Sequence, residues 1–157
     1  MKKGEGRIPF VPSPRDVVEK MLSIADPMPD ELLVDLGSGD GRIIISAAKN
    51  YRCSALGVER NPVLVEESVN KILRSSLKKA RIVHGDLFKY DFSDADVVTL
   101  YLLPRPLELL KPKLLSLKKG ARIVCHDFPI PRLDPKEVYL VKSHRTGRTH
   151  KIYLYEL

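Results

Sequence analysis

Val34-Asp35-Leu36-Gly37-Ser38-Gly39-Asp40-Gly41 joins a short apolar run, residues 32–36, to a segment from Gly41 to Asn50 in which Ile43, Ile44, Ala47 and Ala48 recur at helical spacing. A strand that carries an acid near its end and passes through glycines into a helix makes a loop suited to close backbone approach to a ligand. Glycine is needed there because a Cβ would collide with the ligand or forbid the dihedral. In an open α/β sheet this loop lies at the carboxyl ends of the strands, where such folds bind ligands.

Outward from this loop, helix and strand patterns alternate. Upstream, a Pro-rich stretch, Ile8-Pro9-Phe10-Val11-Pro12-Ser13-Pro14, precedes apolar residues at Val17, Val18, Met21, Leu22, Ile24 and Ala25, close to one helical face. Ser13 and Pro14 read as the N-cap and first position of that helix, and Asp26-Pro27-Met28-Pro29 ends it. Downstream, residues 54–59 form a second strand, Pro62 opens a helix with Val65, Val69, Ile72 and Leu73 on one side, and residues 80–84 form a third strand. Residues 95–101 are a fourth. Residues 104–117 read as a leucine-rich helix, interrupted or restarted near Pro112 and capped by Gly120 before the strand 122–126. Residues 138–142 and 151–155, separated by a polar loop with Gly147, predict a terminal antiparallel pair. The pattern is that of an α/β fold: a doubly wound sheet, mostly parallel, with one reversed strand.

The chain has 157 residues, 43% of them hydrophobic and 30% charged, which predicts one soluble globular domain over 1–157 that buries a core without metal or disulfide support. The longest apolar stretches, such as Val97 to Leu103, fall well short of the roughly 18 residues a bilayer span needs. No signal peptide is readable, because the basic Met1 to Arg7 runs into prolines, so a cytoplasmic protein without a membrane partner is expected. Cys53 and Cys125 read as buried free thiols, and no cysteine or histidine spacing suits a metal site, so His84, His144 and His150 receive no role. The net charge of +7 favours acidic partners such as nucleic acid without identifying one.

The glycine loop is not a dinucleotide fingerprint, since the third glycine of G-x-G-x-x-G counted from Gly37 falls on Arg42. G-x-x-x-x-G-K-[ST] is absent as well. Glu59 ends the second strand, where a carboxylate accepts from both hydroxyls of a ribose. Asp86, in Gly85-Asp86-Leu87-Phe88 after the third strand, is placed to accept from an exocyclic adenine amine with Leu87 and Phe88 beside the ring. Each has a plain alternative: a simple turn, a partner for the helix start at Asn61-Pro62, and a solvated loop acid. Three at successive strand ends on one sheet edge point together to a nucleoside-bearing ligand.

These residues resemble the class I methyltransferases, whose first motif pairs an acid with a G-x-G-x-G loop and whose second places an acid on the ribose. The resemblance implies S-adenosyl-L-methionine as cofactor, held by Asp35, Gly37, Ser38, Gly39, Glu59, Asp86 and Leu87. It also implies a strand order 3-2-1-4-5-7-6 with the seventh strand antiparallel. The segment Thr99-Leu100-Tyr101-Leu102-Leu103-Pro104 departs from the [DN]-P-P-[YF] of the family's amino-directed nucleic-acid and glutamine enzymes. Little of the chain remains to wrap a metabolite, which favours a large substrate presenting a protruding group.

Phe10-Val11-Pro12-Ser13-Pro14, the segment from Val97 to Leu103 with Leu110 to Leu114, and Val124-Cys125-His126-Asp127-Phe128 look like the small archaeal protein-lysine methyltransferases. Departures occur at Pro104-Arg105-Pro106 and Pro129-Ile130-Pro131-Arg132. The likeness implies transfer of methyl groups to exposed lysines of protein substrates by a chain expected to be monomeric. RNA methylation and a non-catalytic cofactor-binding module are the alternatives. Tyr101 is the candidate catalytic residue, lining a narrow apolar opening that disfavours the ammonium form of lysine, with a core aromatic at a strand end as the plain alternative, and Thr99 or backbone carbonyls meet the cofactor's amino group. Val11 and Ser13 belong to an N-terminal segment, 1–13, read as folding over the cofactor, its prolines reducing the entropy lost on ordering. His126 and Asp127 point toward the same edge as possible proton acceptors.

Overall fold

The computed structural model describes residues 10–157. The basic N-terminus and the first nine residues of the expected covering segment lie outside the described residues.

The elements run α1 (Arg15–Ala25), β1 (Leu32–Leu36), α2 (Arg42–Tyr51), β2 (Ser54–Glu59), α3 (Pro62–Arg74), β3 (Ala80–His84), β4 (Val97–Leu100), α4 (Pro104–Leu115), β5 (Arg122–His126), β6 (Glu137–Lys142) and β7 (Thr149–Glu156). The seven strands form one sheet in the order β3-β2-β1-β4-β5-β7-β6. β7 is antiparallel to both β5 and β6, and every other neighbouring pair is parallel. The expected class I order is therefore the observed one.

The central strands β1, β2, β4 and β5 are buried on both faces, as parallel strands require, whereas the edge strand β6 is largely exposed. On one face α1 and α2 lay Val17, Met21, Leu22, Ile43, Ile44 and Ala47 against Leu33, Val97 and Val124. On the other, Leu107, Leu110 and Leu114 of α4 pack with Phe92 and Leu87 against Val34, Leu36, Val98 and Leu100. Arg122 at the start of β5 clamps the end of α1: its Nε donates to Ala25 O at 2.8 Å, and its two terminal nitrogens donate to the Glu31 carboxylate at 2.9 Å each. That bidentate pair holds the Glu31 carboxyl below its ordinary range.

Four local expectations are corrected. α1 starts at Arg15 with Pro14 as its N-cap and no side-chain cap, because the Ser13 hydroxyl is engaged across the fold at His126. α4 runs through Pro112 without a break, and its C-cap is Ser116, with Gly120 in the turn beyond. β4 is shorter than residues 95–101. The inward face of α3 is Leu64, Ser68 and Ile72, whereas Val69 and Leu73 are exposed. A count of apolar residues misplaced that face because the helix presents a serine, not a valine, to the glycine loop: the Ser68 hydroxyl lies 3.2 Å from Gly39 O.

Among the described residues, no helix is long and apolar enough to cross a membrane.

Ile72 is 8% exposed and Leu73 69%. Ile72→Ala is therefore expected to cost about 2–4 kcal/mol in urea unfolding, and Leu73→Ala no more than about 0.5 kcal/mol.

Candidate active site

The carboxyl ends of β1, β2, β3 and β4 open onto one cleft of about 1590 Å³, whose lining includes Phe10, Val11, Ser13, Asp35, Gly37, Ser38, Gly39, Glu59, Asp86, Leu87 and Tyr101. Ten of the residues singled out in the sequence, Phe10 apart, thus meet at one place. The loop after β1 is tied to β2 by the amides of Gly37 and Ser38, both donating to Val58 O at 2.9 and 3.0 Å. Gly37 achieves this at φ +81, a conformation that L side chains rarely adopt.

Gly57, in the middle of β2, is a close-approach position that sequence reasoning missed. A Cβ on it would lie 2.5 Å from Ser38 Oγ. A glycine inside an otherwise β-forming run was the available signal. Ser38 is buried, and among the described residues its hydroxyl is the one buried side-chain polar atom without a hydrogen-bond partner. An orphaned hydroxyl on the wall of a cleft is a group that a bound polar ligand would satisfy.

Glu59 shapes the loop directly. Its Oε1 accepts from Gly39 N at 2.8 Å and its Oε2 from Asn61 N at 2.8 Å, while Asn61 Oδ1 caps α3 through Val63 N. Both the ligand-facing and the helix-start readings of Glu59 are thus geometrically compatible, since each carboxylate oxygen has a second lone pair. Asp86 Oδ1 accepts from Phe88 N at 2.9 Å, fixing the turn that places buried Leu87 in the cleft wall.

Asp35 is 4% exposed and accepts from Thr99 Oγ1 at 2.8 Å. Burial pushes its carboxyl up to about 7; the Thr99 hydroxyl opposes the rise, and Glu59 and Asp40 add to it. Thr99 was expected at the cofactor but lies beneath the cleft rather than in its lining. It is fully buried with its hydroxyl on Asp35. Asp40 behaves in the opposite way: its burial is outweighed by a bidentate Arg42, and its carboxyl stays below the ordinary range.

Phe10 to Ser13 cross the cleft. The Phe10 ring rests on Gly39, its Cε2 only 2.4 Å from where a Cβ would stand. Ser13 is held on two sides: Arg42 Nη1 donates to its carbonyl at 2.8 Å, and its hydroxyl meets His126 Nδ1 at 2.8 Å.

Tyr101 sits at the far wall, its ring stacked on His126 with centroids 3.9 Å apart and planes at 29°. Burial, followed by the neighbouring Asp127, raises the Tyr101 phenol above its ordinary value, so it is neutral at physiological pH. His126 is fully buried, and burial lowers its imidazole to about 4.

The expectation that no histidines cluster is overturned by the fold. His126 Nε2 lies 2.8 Å from His150 Nδ1, and the two histidines group with Asp127. Arg148 stands over this group, 2.9 Å from Asp127 Oδ2 and 3.1 Å from His150 Nδ1. A guanidinium already serves the acceptors that a cation would need. Asp127 reaches Arg148 from a left-handed backbone, φ 61, stabilised by the hydrogen bond its amide donates to Lys151 O at 2.7 Å.

A seven-strand sheet of this order, with a glycine loop after β1 and acids ending β2 and following β3, defines a class I methyltransferase. A solved RNA methyltransferase from Salinibacter ruber, in complex with S-adenosyl-L-homocysteine, superposes with a TM-score of 0.86 at 36% identity over 93% of each chain. The chain belongs to the ANTKMT methyltransferase domain family, whose model matches residues 35–137. It is 44% identical to a protein-lysine N-methyltransferase of Saccharolobus islandicus over 94% of this chain and 92% of that one. It is 37% identical to the adenine nucleotide translocase lysine N-methyltransferase of Mus musculus, covering 84% of this chain but only 58% of the mouse protein.

Because burial holds His126 near 4, its ring is expected to keep neutral-imidazole nitrogen shifts from pH 8 down to about pH 5 in a labelled NMR titration. A midpoint near 6.5 would contradict the buried placement.

Proposed function

We propose that the chain is a protein-lysine N-methyltransferase that uses S-adenosyl-L-methionine and works as a one-domain cytoplasmic monomer. The observation that carries the reading is the cleft that runs from the strand-end acids to Tyr101, in a chain whose archaeal lysine-methylating relative matches it nearly end to end.

The cleft fits the cofactor on its own terms. Gly37 leaves room for close backbone approach, Gly39 admits the Phe10 ring of the segment that crosses the cleft, the Ser38 hydroxyl lacks a partner, and carboxylates stand at the ends of β1 and β2 and after β3. In this reading Glu59 holds the ribose, Asp86 the adenine amine with Leu87 against the ring, and Ser38 and the loop amides the remaining polar edge. Asp35 faces the cationic amino-acid end, and Val11 and Ser13 belong to the cover. When bound, the cofactor supplies a methyl group already activated by its sulfonium.

The protein's own task is to bring a neutral amine to that methyl in line and away from water. An incoming lysine has a reference pKa of about 10.4 and must shed a proton. Tyr101, Leu102, Leu103, Pro106 and Leu109 line the cleft on the β4–α4 side, a surface that accommodates the methylene stem while disfavouring the ammonium. Tyr101, a neutral phenol, lines the reacting end and needs to accept no net charge.

Two measurements test this function. With labelled S-adenosylmethionine and mixed cellular protein, label is expected on lysine after complete hydrolysis; label confined to RNA would replace the reading by the RNA alternative, which the +7 charge favours. The second concerns Asp35. Its carboxyl lies near 7 in the free protein, and a cationic ligand favours the carboxylate, so binding must remove a proton below that pH. Calorimetric affinity for S-adenosylmethionine is therefore expected to be roughly tenfold weaker at pH 6 than at pH 8. In Asp35→Asn the affinity should be weak throughout and the Asp35-dependent slope lost. A wild-type slope that persists in the variant would remove Asp35 from the assignment.

A further inference from the structure

The buried His126 faces no solvent, yet it touches two elements that the proposed reaction uses, Tyr101 and the covering segment, and is anchored on a third. Its ring lies under Tyr101, Nδ1 meets the Ser13 hydroxyl of the covering segment, and Nε2 meets His150 in β7. The direction of each hydrogen bond follows from Arg148. A guanidinium only donates, so His150 Nδ1, 3.1 Å from Arg148 Nη2, is an acceptor and His150 carries its proton on Nε2. That proton is donated to Thr146 Oγ1 at 3.0 Å. His126 Nε2, facing the same acceptor, must in turn be a donor. A neutral His126 then has a bare Nδ1, which accepts the Ser13 hydroxyl proton.

The chain of bonds therefore has one polarity, from Ser13 through His126 and His150 to the β6–β7 loop. Around this core, Ser143 Oγ and His144 N donate to Asp16 at 2.9 and 2.8 Å, pinning the loop to α1. The acceptor that Ser13 finds is thus fixed by groups on β5, β7 and the loop that does not face the cleft.

We infer that His126 is a positioning residue that latches the segment Phe10 to Ser13 over the cofactor and, through the other side of the same ring, sets the Tyr101 ring at the acceptor end. The inference rests on the reading of the cleft as a methyl-transfer site. It assigns His126 neither contact with the reacting atoms nor a proton to carry. Its two duties are separable by chemistry: the hydrogen bond needs Nδ1, and the stack needs a ring.

Three variants separate them. Ser13→Ala removes only the hydroxyl, and its dissociation constant for S-adenosylmethionine, measured by calorimetry without acceptor, is expected to rise up to about tenfold. The same loss should appear as a rise in KM for the cofactor when turnover is measured at limiting cofactor. His126→Phe keeps a ring under Tyr101 and removes both nitrogens, so it should reproduce the Ser13→Ala pattern. The double variant should bind no more weakly than the weaker single, since the Ser13–His126 bond is already lost in each. His126→Asn leaves an oxygen near the Nδ1 position and no ring. It should lower kcat about tenfold while weakening cofactor binding less than His126→Phe does.

Wild-type affinity in Ser13→Ala, additive losses in the double variant, or the same kcat and affinity pattern in His126→Phe and His126→Asn would each overturn the latch. If His126→Phe does not fold, Ser13→Ala decides the cofactor half alone, and Ser13→Thr, which restores a hydroxyl, should recover binding. A wild-type chain that binds cofactor but labels no lysine removes the lysine reading and leaves the affinity measurements standing. Lysine labelling with affinities indifferent to Ser13 removes the latch only.

Discussion

The structure depends on β1 being hydrogen-bonded on both sides at the point where the strand order reverses. Leu33 to Leu36 pair with Ala55 to Val58 of β2 on one edge and with Val97 to Leu100 of β4 on the other. The chain leaving β1 passes into α2 on one face, whereas the chain leaving β4 passes into α4 on the opposite face. The two connections diverge, and a cleft opens above the strand ends for topological reasons before any side chain is considered. Asp35, Gly37, Glu59 and Tyr101 line the cleft that this divergence opens.

The polar groups at the cleft are unequal in their internal support. Asp40 is fully paired with Arg42 and Lys71 and behaves as a structural acid. Asp35 has one hydroxyl partner, and burial alone would favour its neutral form, while Ser38 has no partner at all. Groups that a fold leaves under-satisfied at one edge of a sheet are those a ligand can stabilise, whereas the completed ones hold the edge in shape. Glu59 does both, because its two oxygens bind the amides that define the loop and still have lone pairs to offer.

Most of the architecture was readable because strong local signals agreed with one another. Prolines and glycines marked the turns, and the inward residues of α2, Ile43, Ile44, Ala47 and Ala48, were those predicted from helical spacing. What failed did so for tertiary reasons. Ser13 looks like a helix cap from its neighbours, but the acceptor that claims it is 113 positions away. Val69 and Leu73 have the right spacing for burial, yet the partner of α3 is a glycine loop that admits a serine. His150 carried no signal because its relation to His126 arises from antiparallel pairing, His126 opposite Ile152, and no sequence spacing encodes that register. Thr99 is at the expected strand, but it is buried with its hydroxyl on Asp35 and does not line the cleft.

Compactness has a consequence for how the cleft can be used. Among the described residues, Phe10 to Ser13 cross the strand-end side of the cleft, and the cleft opens beside α4. Phe10, Val11, Leu103 and Leu109 are large apolar side chains exposed around that opening. A flat base would need acceptors on its amino edge, which the Leu102-Leu103-Pro104 turn does not display as side chains. A flexible methylene stem ending in an amine needs only an apolar passage and an aromatic wall held still. Tyr101, the residue after β4, supplies that aromatic wall, stacked on a histidine that is itself hydrogen-bonded to His150 behind it.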